Sequence, residues 1–201
     1  MAGPGVAIID SGGANIASLL YAFERLRCAA VLTTDVATIR AAERVILPGV
    51  GAARDAMQRL RERELVDVIR GLTQPVLGIC LGMQLLAEAS EEEDVECLGI
   101  IPGTVAKLPA SPSRPVPNMG WCRVTPRVHD PLLAGIDSGS YFYFLHSYAL
   151  PVAKHTIATA DHAEPFAAVV RKKNFSAAQF HPERSSSVGA RLLQNFLELS
   201  A

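Results

Sequence analysis

Apolar positions in the first half of the chain fall into two alternating rhythms. Short, nearly unbroken runs at Val6 to Asp10, Ala30 to Thr33, Arg44 to Leu47 and Pro75 to Ile79 have the pattern of strands buried on both faces. Between them, Ile16, Leu19, Leu20, Phe23 and Leu26 recur at i, i+3, i+4, i+7 and i+10, a helical stripe. Met57, Leu60, Leu65, Val68, Ile69 and Leu72 repeat that logic and predict one further helix. Strand and helix in turn predict βαβ units and a parallel sheet with helices packed against it.

The rhythm changes after Glu91-Glu92-Glu93-Asp94, which reads as a solvated loop following a helix. From Cys97 through Thr125, then at Tyr141 to Leu145, Thr156 to Ala160 and Phe166 to Phe180, short strands are punctuated by Pro and Gly. These predict hairpins appended to the parallel sheet. Val188, Leu192, Phe196 and Leu199 form a closing amphipathic helix. The expected fold class is α/β, an open, mostly parallel sheet flanked by helices with appended antiparallel strands. At 201 residues the chain suits a single domain spanning 1–201.

Composition narrows the function classes. Half of the chain, 49%, is apolar and 19% is charged, which suits a buried-sheet protein and not a disordered one. The net charge of −1, without a dense basic run, argues against a nucleic-acid partner. Apolar runs stay far below the roughly 18 residues needed to cross a bilayer, and no basic-then-apolar leader opens the chain, so no membrane association and a cytoplasmic location are expected. Cys28, Cys80, Cys97 and Cys122 contain no C-x-x-C pair, which argues against a zinc site and a disulfide framework. Four reduced thiols are expected, with no metal.

Gly78-Ile79-Cys80-Leu81-Gly82 changes the picture, because it fits a G-x-nucleophile-x-G elbow between the strand Pro75 to Ile79 and a helix predicted over Met83 to Ala89. Cys80 would open that helix, where the dipole favours a thiolate. A thiolate needs a base that can later protonate a leaving amine. Of the five histidines only His181 has an acid, Glu183, two residues on, where an extended segment would present both on one side. Pro48-Gly49-Val50-Gly51 follows the third strand, and its backbone N–H groups together with that of Leu81 would form an oxyanion hole. Gly49 to Arg54 is not a phosphate loop, since Arg54 stands where a dinucleotide fingerprint needs Gly and no Walker sequence exists. No cofactor is expected.

With PGVG, GICLGMQLL and QFHPERSS in this order and spacing, the chain resembles the class I glutamine amidotransferases over essentially its whole length, about Val6 to Phe196. IIDSGGANIASL, PGVGAARDAM, VPNMGW and FLHSY are most similar to the glutaminase subunits of imidazole glycerol phosphate synthase within that family. The resemblance implies that Cys80 attacks the side-chain amide of glutamine, that His181 passes the proton to departing ammonia, and that Glu183 orients His181. It further implies oxyanion contacts from Val50, Gly51 and Leu81, substrate contacts from Gln84, His146, Ser147 and Tyr148, and a (β/α)8 cyclase as heterodimer partner. Asn15, Asn118, Met119, Trp121 and Arg184 match segments that meet that partner.

Asn118 stands where VPxMGW usually has His, Arg184 where HPE is usually followed by Lys, and Cys122 after the Trp; the first loop keeps Asn15 but lacks the usual Tyr and one Gly. These departures leave the three catalytic candidates untouched. Two alternatives stay open: a glutaminase serving anthranilate, purine, folate or pyridoxal phosphate synthesis, and a non-catalytic interaction or redox-sensing subunit on the same fold.

Overall fold

The computed structural model describes residues 5–12 and 16–200. Among the described residues the strands are β1 (Val6–Ile9), β2 (Ala30–Thr33), β3 (Arg44–Gly49), β4 (Val76–Cys80), β5 (Ala89–Ser90), β6 (Val95–Glu96), β7 (Thr104–Lys107), β8 (Asn118–Pro126), β9 (Ser140–His146), β10 (Tyr148–Ala149), β11 (Thr156–His162), β12 (Glu164–Lys172) and β13 (Phe175–Ala178). The α-helices among the described residues are α1 (Ile16–Arg25), α2 (Val36–Ala41), α3 (Ala53–Glu62), α4 (Leu65–Arg70), α5 (Leu81–Leu85) and α6 (Ser186–Glu198). Nine strands form one sheet in the order β2-β1-β3-β4-β13-β12-β11-β8-β9, and β10-β7-β5-β6 form a smaller one.

β2, β1, β3, β4 and β13 pair in parallel and the rest of the large sheet is antiparallel. β1, β4 and β13 are buried along their whole length, as their unbroken apolar or small-residue runs require. One core cluster holds Phe23 of α1 and Leu192, Leu193 and Phe196 of α6, together with Phe142, Phe144 and Phe180. The other holds Ile39 of α2, Met57 and Leu60 of α3, Leu65 and Ile69 of α4, and Leu81 and Leu85 of α5. The parallel α/β sheet with appended antiparallel strands is therefore as expected, and several element boundaries differ.

Met57 to Leu72 is two helices and not one. Glu64 takes a left-handed backbone conformation, φ 54°, between α3 and α4. The five-residue step from Leu60 to Leu65 already breaks the 3.6 period, and the turn lets both helices bury their own stripe. The helix after Cys80 is also shorter than predicted: α5 ends at Leu85, and Ala89 lies in β5. Glu88 N–H donates to the Gly103 carbonyl, so the chain leaves the helix to join the smaller sheet. The acidic run is consequently the tip of the β5–β6 hairpin, with Glu93 and Asp94 at positive φ. Phe166 to Phe180 divides at Lys173, φ 55°, into β12 and β13. β13 lies parallel to β4 inside the sheet and is not an appended hairpin strand.

Close packing fixes the β4–α5 corner. A methyl group at Gly82 would lie 1.7 Å from the Leu47 carbonyl oxygen, and one at Gly78 would lie 2.8 Å from the Gly82 oxygen. Only hydrogen fits at either position. Gly82→Ala is therefore expected to destabilise the protein by about 3 kcal/mol or more, with urea unfolding as the measurement.

Candidate active site

Cys80 terminates β4 and caps α5 with φ 54° and ψ −112°, a sparsely populated conformation for a residue with a side chain. The register of β3 sets Gly49 beside Cys80, and β13, paired up to Ala178 beside Ile79, brings the following residues alongside. Phe180, stacked on Phe142 at 4.0 Å between ring centroids, anchors the chain just before His181. His181 N–H donates to the Tyr143 carbonyl, Ser185 Oγ–H donates to the His181 carbonyl, and Tyr143 N–H donates to Ser185 Oγ. This closed ring of hydrogen bonds clamps the turn that carries the candidate base.

His181 and Glu183 meet, although not through an extended segment. Pro182–Arg184 forms a 3-10 turn, and from it Glu183 Oε1 accepts from His181 Nδ1–H at 2.9 Å. That bond leaves Nε2 for Cys80. Burial opposes the charge on His181, but hydrogen bonding to Cys80 and to Glu183, with their charges, raises its pKa from 6.5 to about 10. The imidazolium form is favoured, so its stabilising contribution is complete below pH 6.5 and is lost as pH rises through about 10. Glu183 Oε2 is buried with no hydrogen-bond partner among the described residues.

A pocket of about 240 Å³ opens over Cys80 and His181 and is lined by Val50, Gly51, Leu81, Gln84, Glu92, Pro117, Leu145, His146, Ser147 and Tyr148. Its volume lies below the ~300–1,000 Å³ common for drug-sized ligands and suits a single amino acid. The larger groove, about 780 Å³, lies at the opposite end of the sheet around Arg70 and Lys172, away from this chemistry. Glu92 and Leu145 were not anticipated as site residues. Glu92, from the acidic hairpin tip, accepts the Ala53 N–H at 3.3 Å, and burial raises its pKa. The Leu145 carbonyl lies 3.7 Å from Cys80 Sγ and can accept its proton when the sulfur is a thiol. Periodicity could not reveal either residue, because Glu92 sits at a hairpin tip and Leu145 on the β8–β9 pair, and only tertiary packing brings them to Ala53 and Cys80.

His146 is held at both ring nitrogens. Its Nδ1–H donates to the Tyr148 carbonyl at 2.9 Å, so Nε2 accepts, at 3.0 Å, from Asn118 Nδ2, whose Oδ1 in turn accepts the Cys122 thiol proton at 3.4 Å. Asn118, which the resemblance matched to a segment that meets the partner, is thus buried, at 3% exposure. Met119 and Trp121, alternate residues of the same strand, do face outward, and Arg184 lies 4.6 Å from the Tyr143 ring centroid. Asn15 lies outside the described residues.

A model of the glutamine amidotransferase class-I family matches residues 7–199. The chain belongs to the class-I glutamine amidotransferases. Relatives named imidazole glycerol phosphate synthase subunit HisH include one from Xanthomonas euvesicatoria pv. vesicatoria, 52% identical over 97% of this chain and 98% of its own. Another, from Shewanella sediminis, is 49% identical over 96% of this chain and 89% of its own. A crystal structure of a glutamine amidotransferase superposes with a TM-score of 0.75 at 20% identity, covering 96% of this chain and 97% of that one. The glutaminase domain of Trypanosoma brucei CTPS, solved with bound acivicin, superposes with a TM-score of 0.68 at 16% identity, covering 98% of this chain and 94% of that one. Both structures show the shared fold.

In this amidotransferase, burial lowers the pKa of His146 from 6.5 to about 4, opposing the bond to Tyr148. Its folded pKa lies below the unfolded one, so stability is expected to fall as pH drops from 6.5 to about 4, by about 3 kcal/mol at most. His146→Gln should flatten that slope, and urea unfolding at pH 7 and pH 5 measures it.

Proposed function

We propose that this chain is the glutaminase subunit of imidazole glycerol phosphate synthase, working in the cytoplasm in histidine biosynthesis and passing ammonia to a (β/α)8 cyclase partner. The observation that carries the chemistry is the contact of Cys80, His181 and Glu183 at one wall of an amino-acid-sized pocket. The choice of synthase rests on the relatives' name and their near-complete overlap with this chain.

Glutamine enters with its side-chain amide over Cys80, while Glu92 offers an acceptor for its α-ammonium group. The thiolate forms an S–C bond to the amide carbon and the carbonyl electrons move to oxygen, where the N–H groups of Leu81 and the Val50–Gly51 segment stabilise them. As the C–N bond breaks, imidazolium Nε2–H of His181 protonates the leaving nitrogen, and ammonia departs. His181 then deprotonates a water that attacks the thioester carbon, and cleavage of the C–S bond releases glutamate and restores the thiolate beside the imidazolium. Glu183 holds the imidazole throughout through Nδ1.

The outward face of the β8–β9 pair supports a docking place for the partner there. Met119 is paired with Leu145, Trp121 with Tyr143 and Arg123 with Tyr141, and this row forms the outward face of an edge ribbon. Met119 is 68% exposed, Trp121 51% and Tyr141 48%, an apolar surface that suits a protein partner. Leu145 belongs both to this row and to the pocket wall, so a docked cyclase would sit at the pocket mouth.

Cys80→Ala is expected to abolish glutamine-dependent synthesis by the complex, a drop of about 10³-fold or more, while synthesis from ammonium salt persists. Parallel loss of both activities would sink the assignment. The isolated chain is expected to hydrolyse glutamine slowly and to be stimulated by the ligand-bound partner. The proposed movable element is the Gly49-Val50-Gly51 backbone, in which Gly51 has φ 90° and open space around it. Gly51→Val should reduce stimulation about tenfold or more while leaving partner affinity within a few-fold, comparing titrations with glutaminase assays.

A further inference from the structure

The side chain of Gln179 is fully buried, and the mechanism above does not use it. It follows β13, one step beyond the Ala178–Ile79 pair, so register sets it beside Cys80. Gln179 and His181 flank Phe180, which points into the aromatic core, and both direct polar groups toward the same sulfur. Gln179 Oε1 accepts from Gln84 Nε2 at 3.2 Å, and Gln179 Nε2 lies 4.0 Å from Cys80 Sγ.

Both amide orientations are determined by their partners. The Tyr148 carbonyl can only accept, and Gln84 Nε2 donates to it at 2.9 Å. The same nitrogen faces Gln179, which must therefore present its oxygen and turn its own NH2 group to Cys80. Flipping Gln179 would set two NH2 groups together and place a carbonyl oxygen against the sulfur.

We propose that Gln179 is a positioning residue for the nucleophile: its buried amide N–H donates to Cys80 Sγ once the thiol proton has passed to His181, and its oxygen keeps Gln84 at the pocket wall. The inference rests on Cys80 being the glutaminase nucleophile. In the thiol form the sulfur donates to the Leu145 carbonyl; after proton transfer that carbonyl faces a negative sulfur, and Gln179 offers it a neutral side-chain donor at 4.0 Å. A buried hydrogen bond to a charged acceptor is worth about tenfold or more in an equilibrium. The long N···S distance places this one near the lower end.

The test uses the chain in complex with its cyclase partner and two variants, Gln179→Glu and Gln179→Met. Gln179→Glu keeps an oxygen for Gln84 and replaces the donor to sulfur. It is expected to lower both kcat and the rate of Cys80 alkylation by iodoacetamide about tenfold or more, with KM for glutamine within about twofold. Gln179→Met removes both contacts and should lower the alkylation rate and also raise KM. A folded Gln179→Glu protein that alkylates at the wild-type rate with unchanged kcat overturns the proposal. Should either variant fail to unfold cooperatively, the wild-type protein decides by NMR: the Gln179 side-chain amide signals should move on alkylation of Cys80, and unmoved signals overturn the proposal. Wild-type Cys80 that resists a glutamine-mimicking electrophile would instead overturn the glutaminase assignment itself.

Discussion

The parallel register of β13 against β4 is the constraint on which the site depends. Ala177 lies beside Gly78 and Ala178 beside Ile79, while β3 on the other flank sets Gly49 beside Cys80. Three chain segments far apart in sequence therefore end level with one another at the carboxyl edge of the sheet. A slip of one residue in β13 would turn Gln179 and His181 into the aromatic core and Phe180 toward the sulfur. The small residues of β13 and the glycines of the β4–α5 corner permit this closeness, and the clamped turn from His181 to Ser185 holds the geometry.

Around that alignment the structure joins several buried polar groups through two donor chains that meet at the Tyr148 carbonyl. Cys122 donates to Asn118, Asn118 donates to His146, and both His146 and Gln84 donate to the Tyr148 carbonyl; Gln84 continues to Gln179 and so to Cys80. Each amide flip and the His146 tautomer is set by a neighbour that can only accept or only donate. A buried network of this kind is costly if one member is left unpaired, which gives the site a single preferred arrangement. Asn118 and Cys122, two positions where this chain departs from the usual family pattern, are both members of that network.

The β8–β9 ribbon joins chemistry to surface. Alternation along it buries Asn118, Phe142, Phe144 and His146 on one side and exposes Met119, Trp121 and Tyr141 on the other. Arg184, in the turn that carries His181 and Glu183, packs over Tyr143 of the same ribbon, and Trp121 meets Tyr143 edge to face. One or two side chains thus separate the outer row from the turn that carries His181 and Glu183.

Much of this protein was legible in one dimension. The buried strands of the first half, the amphipathic α1 and α6, and the elbow around Cys80 are local patterns, since periodicity and glycine placement act over a few residues. Family motifs pointed to His181 and Glu183, yet the contact between them is made by a 3-10 turn and not by the extended segment that spacing suggested. Tertiary structure alone decided that β13 enters the sheet beside β4, that Asn118 turns inward, and that Glu92 and Leu145 reach the pocket. Gln179 belongs in the same group, because its spacing from His181 is visible in sequence while its partners, Gln84 and Cys80, lie about a hundred residues away. Hydrophobic periodicity determines which face of a segment is buried, but strand order and register depend on how distant segments pack together. Those long-range choices brought Cys80, His181, Glu183 and the amides of Gln84 and Gln179 to one edge of one sheet.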